Sequence, residues 1–385
     1  MFSTLSKEMT SPLTTPLHLP LVFTLASIPV FYVLGLTTGN VSWVDRSWPL
    51  FPPLISIMLI GWELVNQAGA IYAHNLPRVL LMFGLQIAWC IRLVSHAAKR
   101  NFYDIKSEDY RYAVVRKLIP KWAFGLIHAS VIATAQPLLL FSLCLPLYSA
   151  LVLPPTQNAS TGSLMFKTVA NLFPARLGGS VAPTTVILGL SDYFMVAVSL
   201  LILYVEYEAD RRNYEFQTKK HELIKSLPDK QLVHPKMTSE QQPLIKNEGL
   251  PGPSPYPASH HPGFPIKGMW RFSRHPNFAA EQLFWVSQGL FAALAGAKVG
   301  MAKEDWFLAS VFGPCFALSL LFCASTFLTE WISSRKYPTF NDYKWLVGEF
   351  LPQETVLLWL WGQATGSRPK FVENVYGSVP STPHE

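Results

Sequence analysis

Residues 269–282 read MWRFSRHPNFAAEQ and place several polar side chains directly before an apolar run. Arg271 and Arg274 could hold a phosphate group, because a guanidinium donates two parallel hydrogen bonds to it. Asn277 and Glu281 lie four residues apart, on one face of a helix that begins at a proline, and a helix start favours anions. A basic anchor on anionic lipid would explain the arginines. It would not explain an amide and a carboxylate entering a bilayer, where polar groups are costly and usually functional.

Two further polar clusters lie beside apolar segments, far from this stretch in sequence. The segment VEYEADRRNYEFQTKKHE contains Asp210 about one helical turn beyond Glu206, although an interfacial helix among lipid headgroups would have the same composition. The segment TEWISSRKYPTFNDYKWLVGEFLP contains a group of charged and phenolic side chains: Glu330, Arg335, Lys336, Tyr337 and Tyr343. The topology argued below places all three clusters on the cytosolic side. We therefore expect them to converge on one soluble, anionic cofactor.

A fourth polar motif, NVSWVDRSWPL, lies between the first two apolar segments. Asp45 and Arg46 could form a surface ion pair worth less than about 1 kcal/mol. Trp43 and Trp48 flank them, as is common at a membrane interface, and desolvation there would raise the pKa of Asp45. A protonated Asp45 could then donate a hydrogen bond to a ligand oxygen. Both interpretations stay open.

The composition of the whole chain indicates a membrane protein. Of its 385 residues, 50% are hydrophobic and only 14% are charged, which lies outside the usual range of soluble domains. The formal net charge of +7 would suggest nucleic acid as a partner of a soluble protein. Here the basic residues cluster in loops beside apolar segments and report topology, so no nucleic-acid partner is expected. The four cysteines lie in apolar segments without zinc spacing, so no metal site is predicted.

A helix needs about 20 apolar residues to cross the hydrocarbon core of a bilayer, and seven stretches qualify. They are Leu21–Thr38, Phe51–Tyr72, Val79–Ala98, Phe124–Leu153, Thr184–Tyr207, Ala279–Met301 and Trp306–Leu328. We therefore predict an all-α, polytopic membrane fold with about seven transmembrane helices.

The basic residues of the loops predict the orientation of this bundle. The loop between the third and fourth spans contains seven of them, from Lys99 to Lys121, whereas residues 154–183 contain only Lys167 and Arg176. Short cytoplasmic loops are enriched in Lys and Arg. With seven spans, the N-terminus is then lumenal and the C-terminus cytosolic, and a sequon at Asn158 lies on the lumenal side.

Composition also divides the chain into five regions. Residues 1–20 form an N-terminal segment, and residues 21–229 contain the first five helices with their cytosolic loops. Residues 230–267 are rich in Pro, Ser and His and are predicted to be a disordered cytosolic insertion, because they bury too little apolar area to offset their ordering entropy. Residues 268–365 contain the motif region, the last two helices and a cytosolic segment. Residues 366–385 are predicted to be a disordered tail.

These motifs, taken in order, resemble those of the DUF1295 proteins, a branch of the membrane steroid 5-alpha-reductase-like superfamily. The resemblance covers nearly the whole chain and rests on five motifs. They are V-D-R-x-W at residues 44–48, W-x-x-R-L at 89–93 with R-N and E-D-Y-R-Y at 100–112, A-D with a later Phe at 209–216, W-R-F-S-R-H-P-N-F-A-A-E at 270–281, and Glu330 with Tyr343, Phe350 and Pro352.

The resemblance implies a membrane oxidoreductase that binds NADPH from the cytosol and reduces a carbon–carbon double bond conjugated to a carbonyl in a lipid-soluble, steroid-like substrate. The positions that match its cofactor-binding residues, or share their motifs, are Asp210, Arg274, His275, Asn277, Glu281, Arg335, Tyr337 and Tyr343. Protonated Asp45, with Trp89 as a second candidate, would act on the substrate carbonyl as catalytic hydrogen-bond donor. We further expect a monomer in the endoplasmic reticulum membrane, with membrane lipids and a small lipid-soluble molecule as partners.

The chain departs from the family pattern at Ala280, where the motif has glycine, and at Arg212, where it has glutamine. A methyl group can prevent close approach of a ligand to the backbone. Two other classes therefore stay open. One is an S-adenosylmethionine-dependent membrane methyltransferase of the isoprenylcysteine or phospholipid type, which shares R-H-P-x-Y and a downstream Glu with Y-x-x-Y. The other is a non-catalytic membrane scaffold or sterol-binding protein.

Overall fold

The computed structural model describes residues 15–65, 75–153, 188–235 and 250–377. Within them the backbone is helical apart from short connections and one two-stranded sheet. The helices are α1 His18–Thr38, α2 Trp43–Ser47, α3 Phe51–Val65, α4 Leu76–Lys99, α5 Tyr110–Leu118, α6 Lys121–Leu151, α7 Leu190–Ser226, α8 Pro276–Lys298, α9 Asp305–Lys336, α10 Phe340–Lys344, α11 Pro352–Ala364 and α12 Arg368–Tyr376. The prediction of an all-α, polytopic membrane protein is confirmed.

Each predicted span corresponds to one of these helices. Among the described residues, five helices are long and apolar enough to cross a membrane, namely α1, α4, α6, α7 and α9. Helix α3 is apolar but has only 15 residues, and Tyr72 and Thr184, which bound two of the predicted spans, lie outside the described residues. Helix α8 has 23 residues, but Glu281, Gln282 and Gln288 interrupt its apolar sequence.

The chain divides into two compact units. The first contains Met1–Asp109, Lys121–Leu203 and Gln282–Leu320, and the second contains Tyr110–Pro120, Tyr204–Glu281 and Leu321–Glu385.

In the first unit, a buried charge cluster joins the ends of helices. Nε of Arg78 lies 2.9 Å from Oδ1 of Asp192, and Nζ of Lys298 lies 3.6 Å from Oδ2 of the same carboxylate. The side chain of Asn75 bridges these residues to α6, because its Oδ1 accepts from Arg78 and its Nδ2 donates to the carbonyl oxygen of Leu151. Since a buried charge is costly unless it is paired, this cluster fixes the ends of α4, α6, α7 and α8 relative to one another.

In the second unit, β1 Leu232–Val233 pairs antiparallel with β2 Tyr256–Pro257. The structure therefore differs from the predicted disorder of residues 230–267 wherever it describes them, while residues 236–249 lie outside the description. The physical reason is that three large apolar side chains within the Pro-rich sequence, Tyr256, Phe264 and Ile266, are all buried.

The beginning of the predicted disordered tail is likewise helical. Helix α12 places Val375 in a buried cluster, where it is 0% exposed. The cluster consists of Phe264, Ile266, Phe340, Tyr343, Leu346, Val347 and Val375. Polar composition predicted disorder for this segment, but one buried apolar face is enough to dock a short helix on an existing core. Residues 378–385 lie outside the described part of the chain.

Candidate functional site

The polar stretch before α8 is organised around Glu330, near the end of α9. Its Oε1 lies 2.6 Å from Nε of Arg274 and 3.0 Å from Nε2 of His275. Its Oε2 lies 3.7 Å from Nζ of Lys344. Glu330 is only 6% exposed. One buried carboxylate thus pairs with groups from two other segments, which offsets the cost of desolvating them.

Arg274 also holds the loop that follows α10. Its Nη1 donates to the carbonyl oxygens of Lys344, at 3.3 Å, and Val347. Its backbone N–H donates to the carbonyl oxygen of Gly348 at 2.8 Å. The sequence predicted that this guanidinium binds a ligand. In the structure its donors are used within the protein, so Arg274 positions the loop beside the start of α8.

His275 is nearly enclosed between Glu330 and an aromatic side chain. Its ring stacks on that of Phe278, with 5.5 Å between the ring centres. Burial lowers the pKa of His275, and the nearby Glu330 carboxylate opposes this shift only in part. The imidazole is therefore neutral at neutral pH, and a neutral ring protonated at Nε2 donates its hydrogen to Glu330.

The first turns of α8 carry the amide and one of the two carboxylates predicted from the motifs, and the amide bonds the other carboxylate. Nδ2 of Asn277 donates to Oδ1 of Asp210, on α7, at 3.1 Å. Glu281 follows Asn277 by one helical turn, and Asp210 and Glu281 are each 6% exposed. Buried carboxylates of this kind accept hydrogen bonds from hydroxyl and amide groups. This arrangement is the part of the candidate site that is best suited to a polar ligand.

Tyr337 and Arg335 hold residues 250–271 in place. The Tyr337 hydroxyl accepts a hydrogen bond from Nζ of Lys220 at 3.1 Å, and Lys220 also donates to the carbonyl oxygen of Gly263 at 2.9 Å. Burial raises the pKa of Tyr337 to about 12. Gly263 has φ of +103° and lies so close to Tyr337 that a Cβ atom would come within 2.5 Å of its ring. Arg335 donates from Nε to the carbonyl oxygen of Pro251 at 3.1 Å.

Tyr343 holds the stretch before α8 through a hydrogen bond to its backbone. Its side chain is 1% exposed, and its hydroxyl donates to the carbonyl oxygen of Trp270 at 2.5 Å. Burial raises the pKa of Tyr343 well above its ordinary value, so the hydroxyl remains a donor. The structure thus places all eight predicted cofactor residues in the second unit, contributed by four helices and two connecting segments.

The two predicted catalytic residues lie in the first unit. Asp45 lies on α2, next to Arg46, whose guanidinium donates to backbone carbonyl oxygens of the loop after α4. Burial lowers the pKa of Arg46, and the Asp45 carboxylate acts in the opposite direction. Trp89 is fully buried, and its indole ring lies 6.2 Å from Phe284 and 5.1 Å from Trp285. Trp89 is therefore part of a packed aromatic cluster.

Sequence reasoning named Glu330 as a motif residue but did not identify it as the centre of the network, and it missed Lys220. For Glu330 a signal was available, because an acid near the end of an apolar helix needs a cationic partner if it is buried. For Lys220 no sequence signal separates it from the other lysines of α7.

A bundle of apolar helices that carries a buried polar network near helix ends defines a multi-pass membrane protein with a candidate site for a polar ligand. Within that class, the chain belongs to the DUF1295 family, described as a protein of unknown function, whose family model matches residues 31–173 and 172–347. The chain is also similar to an uncharacterized protein of Schizosaccharomyces pombe. The two are 28% identical over 324 residues, which cover 84% of this chain and 76% of the yeast protein. No solved structure matches the chain.

Proposed function

We propose that the protein is a membrane-embedded reductase that uses NADPH to reduce a carbon–carbon double bond conjugated to a carbonyl in a lipid-soluble substrate. The observation that carries this proposal is the group formed by Asp210 of α7 with Asn277 and Glu281 at the start of α8, in which both carboxylates are buried. A basic lipid anchor has no use for buried carboxylates. A dinucleotide can bind to them, because its ribose hydroxyls donate hydrogen bonds to carboxylates and its carboxamide needs both an acceptor and a donor.

The donor set of the second unit fits such a cofactor. Asp210 and Glu281 accept hydrogen bonds from hydroxyl groups, and Asn277 can donate and accept. Arg274, His275 and Glu330 hold the loop that borders these residues. NADPH, when bound, supplies a hydride. The chain's own residues bind and orient the cofactor and exclude water from it.

The proposal also needs groups that act on the substrate carbonyl. Asp45 and Trp89 keep their assignment as candidate donors toward the carbonyl oxygen, where a hydrogen bond stabilises the developing negative charge. The apolar outer surfaces of the helices, which include exposed Leu25, Val30 and Leu201, support a route for the substrate through lipid.

Ligand-induced stabilisation of the purified protein in detergent tests the proposal, because only a ligand that binds the folded state raises its melting temperature. We expect NADPH to stabilise the parent more than S-adenosylmethionine does. Asn277→Ala and Glu281→Ala each remove a polar contact, so the apparent affinity for NADPH should fall about tenfold or more.

Asn374→Ala is the matched control, because Asn374 is an exposed asparagine of the same unit that bonds Asp342 at 2.9 Å. It should leave NADPH binding unchanged. Stabilisation by S-adenosylmethionine alone would support a methyltransferase instead, and no response to either ligand would support a scaffold or sterol-binding protein.

A further inference from the structure

The second unit contains a pocket of about 220 Å³ whose lining is distinct from the residues assigned to the reductase. Its apolar wall is formed by Leu346, Val347 and Val372. Leu346 and Val347 are each 2% exposed and belong to the buried cluster that includes Phe264, and Val372 packs against that cluster. The wall is therefore part of a packed core, which gives the pocket a fixed shape.

Two arginines from distant parts of the sequence line this pocket. Arg271 belongs to the motif stretch before α8, and Arg368 is the first residue of α12. Within the described residues, Nη1 of Arg368 is buried and has no hydrogen-bond partner, and neither arginine is paired with a carboxylate. A buried donor without an acceptor is unfavourable, because its hydration is lost and not replaced. The pocket thus presents cationic donors, one of which has no acceptor within the described residues.

Tyr376 brings a third polar group to the same place. The guanidinium carbon of Arg271 lies 5.9 Å from the centre of its ring. Burial raises the pKa of Tyr376, and the positive charges of Arg271 and Arg368 act on it in the opposite direction. Both guanidinium groups are therefore close enough to this hydroxyl to act on it, and the hydroxyl stays protonated as a donor.

The backbone around the pocket fixes the positions of both arginines. Thr355, another lining residue, donates from Oγ1 to the carbonyl oxygen of Phe272 at 2.7 Å and accepts from the N–H of Gly348 at 2.8 Å. These bonds hold the residue next to Arg271. On α11, Gly362 lies against Arg368, and a Cβ atom there would come within 3.1 Å of the arginine Cβ.

We propose that this pocket binds a phosphate monoester, with Arg271 and Arg368 pairing with its oxygens and Tyr376 donating a further hydrogen bond. Two guanidinium groups match the charge of a phosphate monoester, which is close to −2 at neutral pH. The apolar wall accommodates the carbon skeleton attached to it. A nucleotide with a terminal phosphate and a phosphatidic acid headgroup share this chemistry.

Inorganic phosphate is the first probe, because its binding does not depend on the proposed reductase activity. Thermal unfolding of the full-length protein in detergent is followed in phosphate-free buffer with increasing phosphate. The parent should be stabilised, and Arg271→Gln and Arg368→Gln should each weaken the apparent affinity about tenfold or more. Lys370→Gln removes a positive charge from the same helix without touching the pocket, so it should bind as the parent does.

Arg271→Gln and one further variant, Tyr376→Phe, keep the test valid if Arg368→Gln does not fold. Arg271 is exposed, so its substitution leaves the core intact, and Tyr376→Phe removes only a hydroxyl and should weaken binding several-fold. A parent without a phosphate response, or variants of Arg271 and Tyr376 that bind phosphate as Lys370→Gln does, would overturn the proposal.

Two pairs of ligands identify the source of the phosphate. In each pair, only one ligand carries a phosphate monoester. A preference for NADPH over NADH that disappears in Arg271→Gln would assign the pocket to the nucleotide. Stabilisation by phosphatidic acid over phosphatidylcholine in lipid discs, lost in the same variant, would assign it to a lipid headgroup. A parent with neither preference would contradict a monoester ligand. The two proposals can fail separately. If the parent bound NADPH and NADH equally well, and Asn277→Ala bound both more weakly than the parent does, the phosphate proposal would fail while dinucleotide binding at α8 would still be supported.

Discussion

At the scale of single residues, the central feature is one carboxylate that pairs with cationic and neutral hydrogen-bond donors. Glu330 pairs with Arg274 and His275 and lies near Lys344, while it is almost fully buried. A buried ion pair adds little net stability when it forms, but removing one partner leaves the other charge without compensation. Substitution of Glu330 should therefore cost much more than its number of contacts suggests.

The first prediction compares two neutralising substitutions around Arg274. Glu330→Gln keeps the size of the side chain but leaves the buried guanidinium uncompensated, so the free energy of unfolding should fall by about 3–5 kcal/mol. Glu349→Gln is the matched control, because the Glu349 carboxylate is 3.9 Å from Arg274 and its side chain is 35% exposed. Its loss should cost less than about 1 kcal/mol. Thermal unfolding of both variants in detergent measures the difference, and equal losses would argue against Glu330 as the centre.

Residue types predicted which side chains gather in the second unit but not which of them pair. The sequence assigned Arg274 to an anion, and the structure provides one from the protein itself, Glu330. It also bonds Asn277 to Asp210, 67 residues away. Charge and hydrogen-bonding capacity can be read from a motif. The identity of the partner depends on how the helices pack, and a single sequence does not show which residues lie close together in space.

At the scale of elements, α8 and α9 approach closely through glycines. A Cβ atom on Gly289 would come within 2.9 Å of the carbonyl oxygen of Val311, and one on Gly296 within 2.3 Å of the Phe307 ring. The Sγ of Cys315, one turn beyond Val311, donates to the carbonyl oxygen of Trp285 at 3.4 Å. Small residues at such contacts let membrane helices pack backbone to backbone. The contact fixes α8 against α9 within the first unit.

The second prediction tests this contact with two Gly→Ala substitutions. Gly289→Ala places a methyl group against a backbone oxygen that has no rotamer to change, so the cost should be roughly 1–3 kcal/mol. Gly84→Ala, in the interior of α4, meets nothing within 4 Å and should be neutral or stabilising by up to about 1 kcal/mol through helix propensity. The melting temperature of Gly289→Ala should fall while that of Gly84→Ala stays level or rises, and an equal fall in both would contradict close packing at Gly289.

Elements with strong apolar runs were predictable, whereas short segments that dock on them were not. All seven predicted spans correspond to helices, because length and hydropathy decide such elements almost alone. Strand β2 and helix α12 lie in segments predicted to be disordered. They are ordered by a few apolar residues, such as Phe264 and Val375, that average composition hides. Sequence composition measures how much apolar area a segment can bury. It does not show whether the rest of the protein provides an apolar surface on which the segment can pack.

At the scale of the whole molecule, the charge distribution predicts how the protein lies in the membrane. Seven basic residues from Lys99 to Lys121 lie at or between the ends of two apolar helices, whereas the sequence of residues 154–183 contains only two. Translocating a basic loop is unfavourable, so we expect the richer loop to stay in the cytosol. The same orientation assigns residues 230–267, the candidate site and the proposed phosphate pocket to the side where soluble nucleotides are found.

The last prediction tests this orientation with two single-cysteine substitutions at lysines on opposite sides. Of the four native cysteines, Cys90, Cys144 and Cys315 are buried and Cys323 is exposed, so both substitutions are made in a Cys323→Ser background to keep labelling of the parent low. Lys230 is exposed, and Lys230→Cys should react with a membrane-impermeant maleimide in sealed vesicles that present the cytosolic face. Lys167→Cys, in the sparsely charged loop, should react only after detergent opens the vesicles. The reverse pattern would place the candidate site in the lumen, where a cytosolic dinucleotide could not reach it, and would contradict the proposed cofactor together with the topology.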